Sequence, residues 1–218
     1  MAESRDLASL SDAVRALLAW TQAAEVPVLI IGGVAVSLLS RPRTTLDVDA
    51  SVWLPDAKRW SSFLSSAIQH AIEPRIHDAL EFAQSSRVLL LVHRPSGVPI
   101  DVSLAALPFE ENAIRSAVET TIGDMRVPLP TVEDLIIMKA IAQRPKDALD
   151  IAALVEANPQ IDVARVTAVV REFAEALELP SLLDELVRLL PSQKKARARP
   201  RAKAAPTAKR RKSKSRKT

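Results

Sequence analysis

The chain has 218 residues, enough for one domain with a core or for a small α/β domain carrying a helical appendage. Aromatic residues make up only 3% and there is no cysteine, which excludes a surface that stacks bases on several rings, a disulfide framework and a thiolate metal site. The net charge of +4 sums two opposite parts, thirteen Lys or Arg with no acid in residues 194–218 and 17 basic against 26 acidic residues before them, so a uniformly basic nucleic-acid binder is excluded too. Residues 1–10 are polar and charged, unlike a secretory leader. The longest apolar run near the start, residues 26–31, is far short of the roughly 20 residues of a membrane span. A cytoplasmic protein with no membrane association is expected.

Residues 6–24 read as an amphipathic helix, with Leu7, Leu10, Val14, Leu17 and Leu18 at helical spacing. Residues 27–31 are short and continuously apolar, the pattern of a buried strand. Gly32-Gly33 stops that strand, and residues 34–39 read as a short helix leaving the turn. After a polar loop over 41–45, residues 46–54 form a second strand, with Asp47, Asp49 and Ser51 on one face and Val48, Ala50 and Val52 on the other. Residues 55–71 read as a helix, with Pro55 in its first turn and Trp60, Phe63, Leu64 and Ala67 along one side. Residues 87–93 form a strand, Pro95-Ser96-Gly97 a turn, and residues 98–104 a returning strand that alternates Val98, Ile100, Val102 and Leu104 against Pro99, Asp101 and Ser103. A smaller hairpin spans 120–129 around Gly123-Asp124. From Pro130 the pattern is helical, opening on Thr131 and Asp134 at capping-box spacing and continuing to about Gln143, then over 146–157, 163–177 and 181–190. Residues 194–218 hold only Lys, Arg, Ala, Pro, Ser and Thr and are expected to be disordered. The expected architecture is an α+β fold: a mixed sheet with flanking helices over 1–129, a helical part over 130–193 and the basic tail over 194–218.

Asp47 and Asp49, at i and i+2 on a strand, point the same way and can share a cation. Without one they repel, and each resists ionising. Mg²⁺ takes such oxygen ligands together with phosphate and water. By itself Asp-x-Asp is common and reads more readily as the solvated face of a strand. Asp101 sits on a hairpin strand whose alternate face is apolar, so it either faces the same cation pair or meets water after the turn. Gly32-Gly33, between a strand and a helix, lets backbone N–H groups approach an anion, or is an ordinary tight turn. It is not a Walker motif, because no Lys-Ser or Lys-Thr follows at the required spacing. Lys139 is a lone cation on an apolar helix, a point charge for phosphate or a stem that covers apolar surface while its head reaches water. Arg41 and Arg43 flank the aspartates and can meet phosphate, whereas Arg144, Lys146, Asp147 and Asp150 also fit surface pairs. His70, His77 and His93 show no paired spacing and read as structural or exposed.

Ile31-Gly32-Gly33-Val34-Ala35 followed by Arg43-Thr44-Thr45-Leu46-Asp47-Val48-Asp49 resembles the signature of the DNA polymerase β-like nucleotidyltransferase superfamily, in particular the branch with the AbiEii-type toxins. The stretch from Lys139 to Asp150 is similar to that branch's helical Lys-to-Asp motif. The resemblance covers roughly residues 26–156, with thirteen residues between the glycines and Asp47, Gly-Gly in place of Gly-Ser, and Ala50 where a bulkier apolar residue is commoner. It implies an enzyme that moves a nucleoside monophosphate from an NTP to a hydroxyl of RNA, protein or a small molecule, with two Mg²⁺ ions as cofactor. By the same resemblance Asp47, Asp49 and Asp101 hold metal, Gly32, Gly33, Arg43 and Thr45 cradle the nucleotide, Lys139 stands near the triphosphate and Asp147 is a second-motif acid. It further implies a toxin–antitoxin role with an antitoxin partner. The alternative is a non-catalytic nucleotide- or nucleic-acid-binding module. In either case the tail is a candidate contact for nucleic acid through counterion release.

Overall fold

The structure, a computed structural model, describes residues 2–191, so the tail expected to be disordered lies outside the described residues. Its centre is a five-stranded sheet in the order β1-β2-β5-β4-β3. β1 (Val28–Ile31) runs antiparallel to β2 (Val48–Val52), β2 runs parallel to β5 (Val98–Leu104), and β5, β4 (Val88–His93) and β3 (Ile72–Pro74) form an antiparallel meander. Alternation in β2 and β5 decides the two faces. Val48, Ala50, Val52, Ile100, Val102 and Leu104 are all buried, in one cluster with α1 (Ala2–Ala23) and α3 (Trp60–Ser66). Trp20 of α1 stacks on Phe63 of α3 at 4.1 Å between ring centroids, and its indole N–H donates to Ser66 Oγ at 2.9 Å. Fully burying a large side chain of this kind contributes about 1.5–3 kcal/mol.

The opposite face carries Leu29 and Ile31 from β1, Asp49 and Ser51 from β2, and Asp101 and Ser103 from β5. It is roofed by α5 (Pro108–Arg115), where Ala113 and Ile114 pack on Leu29, and by α6 (Val132–Ala142). α2 (Gly32–Leu39) leaves β1 directly, and α4 (Ala79–Ser86) lies beside β4. β6 (Val118–Ile122) and β7 (Met125–Leu129) form the separate hairpin expected around Gly123. Thr131 caps α6, accepting from Asp134 N–H at 3.1 Å and donating to Asp134 Oδ2 at 2.7 Å. α7 (Asp147–Ala157), α8 (Val163–Ala176) and α9 (Ser181–Leu189) follow, and their buried residues are continuous with the sheet core. No helix among the described residues is long and apolar enough to cross a membrane.

Several expectations change. The second strand is shorter than 46–54, so Asp47 stands just ahead of it. The helix expected over 55–71 is α3 with a tight 3₁₀ turn at either end, 57–59 and 67–70. The helix expected from Val34 begins at Gly32 itself, because Gly32 takes φ +63° and turns the chain without a linker. Three elements carry too little periodicity to read: β3 has only three residues and ends on Pro74, and α4 and α5 have eight each. α5 did have a local signal, Pro108 at its first position and Glu110 two residues later, whose carboxylate accepts from Ala106 and Leu107 N–H at 2.8 and 2.9 Å.

Candidate active site

Parallel pairing of β2 with β5 places Asp49 directly beside Asp101, so both carboxylates rise from one face on neighbouring strands. Asp47, two residues before Asp49, is held by the Thr45 hydroxyl, which donates to Asp47 Oδ1 at 2.8 Å. The glycine pair is fitted against these groups. A Cβ on Gly32 would collide with Asp49 Oδ2, and one on Gly33 would lie 2.9 Å from Thr45 Cβ and 3.2 Å from Arg43 Nη2. Gly32 and Gly33 therefore bring a helix N-terminus, with no side-chain cap, against the acidic row. We expect Gly32→Ala to lower stability by about 1–2 kcal/mol through the left-handed backbone alone, and to push Asp49 off its position. A thermal melt and magnesium-dependent turnover measured on the same preparation check both effects.

Crowding shows in the electrostatics. Burial raises the Asp49 carboxyl above the ordinary carboxylate range, and Asp47 and Asp101 add to the rise while Arg144 and Lys146 oppose it. Burial also raises Asp101, against the opposing pull of Arg75 and with a contribution from Asp47. Arg75, the residue after β3, ion-pairs with Asp101, and its backbone N–H donates to Leu90 O at 2.8 Å, which fixes it beside the site. Among the described residues no three carboxylate or imidazole side chains close on a common point. The Asp101 carboxylate is engaged by Arg75. The donor set of Asp47, Asp49 and Asp101 is made of hard oxygen ligands, the chemistry that suits Mg²⁺.

A second charged group ties the helices to this face. Lys139 Nζ, on α6, lies 2.9 Å from Asp147 Oδ1 and 2.7 Å from Asp150 Oδ2, with its side chain 3% exposed. Its head does not reach water. Arg144 donates to Asp147 Oδ2 from its backbone N–H and from Nε at 2.9 and 3.1 Å. Arg43 Nη2 donates to Asp150 Oδ2 at 3.2 Å, whereas Arg43 Nε, 3.1 Å from Asp150 Oδ1, is not aligned for a hydrogen bond and contributes by charge alone. The chain Arg43–Asp150–Lys139–Asp147–Arg144 thus links the loop before Asp47 to α6 and α7. Burial pushes Asp147 up, but the hydrogen bonds from Lys139 and Arg144 outweigh it and hold the carboxyl below its usual range.

Between the acidic face and the helices lies a cavity of 360 Å³, lined by Gly32 and Asp49 at one end, Ser51 and Ser103 on the floor, and Phe109, Met138 and Phe173 among its walls. Lys139 and Arg144 also border it. The sequence reading left Arg75, Arg144 and the two serines out of the site. Arg144 also fitted a surface pair; it does pair with Asp147 at 3.1 Å, but Asp147 is buried, and nothing local foretells that Arg144 also borders the cavity. The serines had a signal, since each follows an aspartate by two on the same face.

The model of a family described as nucleotidyl transferase AbiEii toxin, type IV toxin–antitoxin system, matches residues 15–215. No curated protein matches the chain. Among solved structures, the antibiotic-resistance factor ANT(2'')-Ia in solution is 16% identical, with 79% of this chain and 96% of that chain covered and a TM-score of 0.54. ANT(2")-Ia in complex with adenylyl-2"-tobramycin is 15% identical, covering 75% and 96% of the two chains with a TM-score of 0.50. An antigenic nucleotidyltransferase-like protein from Paracoccidioides brasiliensis is 16% identical, covering 84% and 94% with a TM-score of 0.49. The likeness to ANT(2'')-Ia is one of fold.

Proposed function

Because the chain belongs to the AbiEii nucleotidyltransferase toxin family, we propose that it transfers a nucleoside monophosphate from a magnesium-bound NTP to a hydroxyl acceptor and acts in the cytoplasm as the toxin of a toxin–antitoxin pair. The observation that carries the reading is the in-register pairing of Asp49 with Asp101 beneath the Gly32 turn. Asp47, Asp49 and Asp101 hold the cation. When bound there, Mg²⁺ neutralises the triphosphate and the charge that develops on the leaving group. The uncapped start of α2 at Gly32 and Gly33 presents N–H groups to phosphate oxygens, and Arg43 and Thr45 fix the loop that carries Asp47. Asp101 takes the proton of the acceptor hydroxyl as its oxygen bonds to the α-phosphorus. The bond to the bridging oxygen breaks, and pyrophosphate leaves. Lys139, which the family resemblance would set near the triphosphate, borders the cavity and acts by holding Asp147 and Asp150.

Acceptor chemistry is assigned by experiment: the protein incubated with each labelled NTP, Mg²⁺, total tRNA and lysate protein. Label on one macromolecular class, lost with chelator, supports the reading, and no label from any NTP overturns it. We favour RNA as acceptor, because residues 194–218 place thirteen positive charges beside a −9 remainder. A chain ending at Gln193 is expected to lose most salt-dependent RNA binding and to keep its affinity for Mg²⁺–NTP. With six to ten phosphates neutralised, full-length affinity should fall roughly 10³–10⁵-fold between 50 and 200 mM salt. Loss of NTP binding on truncation would make the tail part of the active site.

A further inference from the structure

We infer that the cavity beside Asp49 seats the nucleobase of the NTP, and that the Ser51 hydroxyl is the group that meets its polar edge. The inference rests on the nucleotidyltransferase reading and extends it to a second compartment. Ser51 follows Asp49 by two residues and pairs in register with Ser103, which follows Asp101 by two. The floor is therefore two rows, a carboxylate pair and then a hydroxyl pair roughly 7 Å further along the strands. Ser51 is 3% exposed, and its Oγ is buried with no hydrogen-bond partner. A hydroxyl left so in a finished core is costly. Here it lines an open cavity, where a ligand can satisfy it.

The two ends of the cavity differ in chemistry. Gly32, Asp49 and Arg144 stand at one end, suited to a metal-bound triphosphate. The remaining walls include Leu107, Phe109, Leu135, Met138 and Phe173, with Phe109 and Phe173 packed edge to face at 5.7 Å. Two other charged groups that line the cavity are already committed. Lys139 is held by Asp147 and Asp150, and the Glu110 carboxylate accepts from Ala106 and Leu107 N–H. A highly charged group has no partner there, whereas a flat heterocycle gains apolar walls and one or two hydroxyls that both donate and accept. The space between the two rows is where the ribose lies. A cavity of 360 Å³ is within the range of small-molecule clefts, about 300–1,000 Å³.

The test is equilibrium binding to the full chain, with Mg²⁺, of the four NTPs, ribose 5′-triphosphate and inorganic tripolyphosphate. At least one NTP should bind tenfold or more tighter than the two probes that lack a base. Ser51→Ala should remove much of that difference, about fivefold or more, leave tripolyphosphate within twofold of wild type, and melt no lower than wild type without ligand. Ser103→Leu, which fills the floor, should abolish the base-dependent gain and keep tripolyphosphate binding. Equal affinity of NTP and ribose 5′-triphosphate for the wild type overturns the inference and leaves the triphosphate site standing. So does a base-dependent gain that survives both substitutions. If Ser103→Leu keeps NTP binding but blocks transfer, the cavity holds the acceptor and the inference falls. If neither NTP nor tripolyphosphate binds at all, the nucleotidyltransferase reading falls with it.

Discussion

Replacing Asp49 with asparagine is expected to lower magnesium-dependent nucleotide transfer by on the order of 10³-fold or more, because the proposed mechanism works by positioning and charge neutralisation and would lose a central ligand. Asp47→Ala should do the same. The fold should not suffer. Asp49 is raised by burial and by Asp47 and Asp101, so its ionised form opposes folding at neutral pH. With a folded value above the unfolded one near 3.9, the stabilisation from protonated Asp49 is complete below the unfolded value and disappears as pH rises through the folded value. The apo protein therefore loses this contribution across that window, and Asp49→Asn should melt at or above wild type at pH 7. Mg²⁺ should raise the melting temperature of the wild type by an amount that grows from pH 4 to pH 7, and should scarcely move Asp49→Asn. Melts with and without Mg²⁺ across that range, paired with label transfer, check both halves. Wild-type turnover by Asp49→Asn would remove Asp49 from the metal set.

The face that carries Asp49 was legible because a strand shows its two sides at a period of two, and the same alternation gave Asp101 and its hairpin. What brings Asp49 beside Asp101 was not legible. Their strands are parallel neighbours, and about 45 residues of chain, including β3 and β4, must fold back before β5 meets β2. No local signal specifies such a partner. Arg75 escaped for a related reason. It follows a three-residue strand ending on Pro74, too short to show a period, and reaches Asp101 only because β3 closes the sheet edge beyond β4. The glycine pair was read as a turn ahead of a helix, and the difference of two residues decides which N–H groups start α2. Lys139 stood out as one cation on an apolar helix. Its burial between Asp147 and Asp150 needs α6 and α7 folded against each other, which spacing along one helix does not reveal.

That burial makes Lys139→Met the substitution with the largest expected effect on stability. Asp147 and Asp150 are almost as buried as the lysine, with side chains 2% and 6% exposed against 3%. Removing the cation strands two carboxylates that keep only Arg144 and Arg43 as partners. Breaking a buried pair from one side costs about 3–5 kcal/mol. At roughly 2–4 °C per kcal/mol for a chain of this size, the melting temperature should fall by about 6–20 °C. Exchanging the whole set, Lys139→Met with Asp147→Asn and Asp150→Asn, should recover part of the loss, because no uncompensated buried charge remains. Acid provides an independent check. Asp147 is held below its usual range, so its contribution is full above the unfolded value near 3.9 and disappears as pH falls through the lower folded value. The gap in melting temperature between wild type and Lys139→Met should accordingly narrow in strong acid. The two kinds of measurement separate a tie within the fold from a contact with substrate. A Lys139→Met protein that melts with the wild type yet transfers no nucleotide would place the ammonium on the triphosphate, and the link from Arg43 to Arg144 would then carry no weight in holding α6 and α7 to the site.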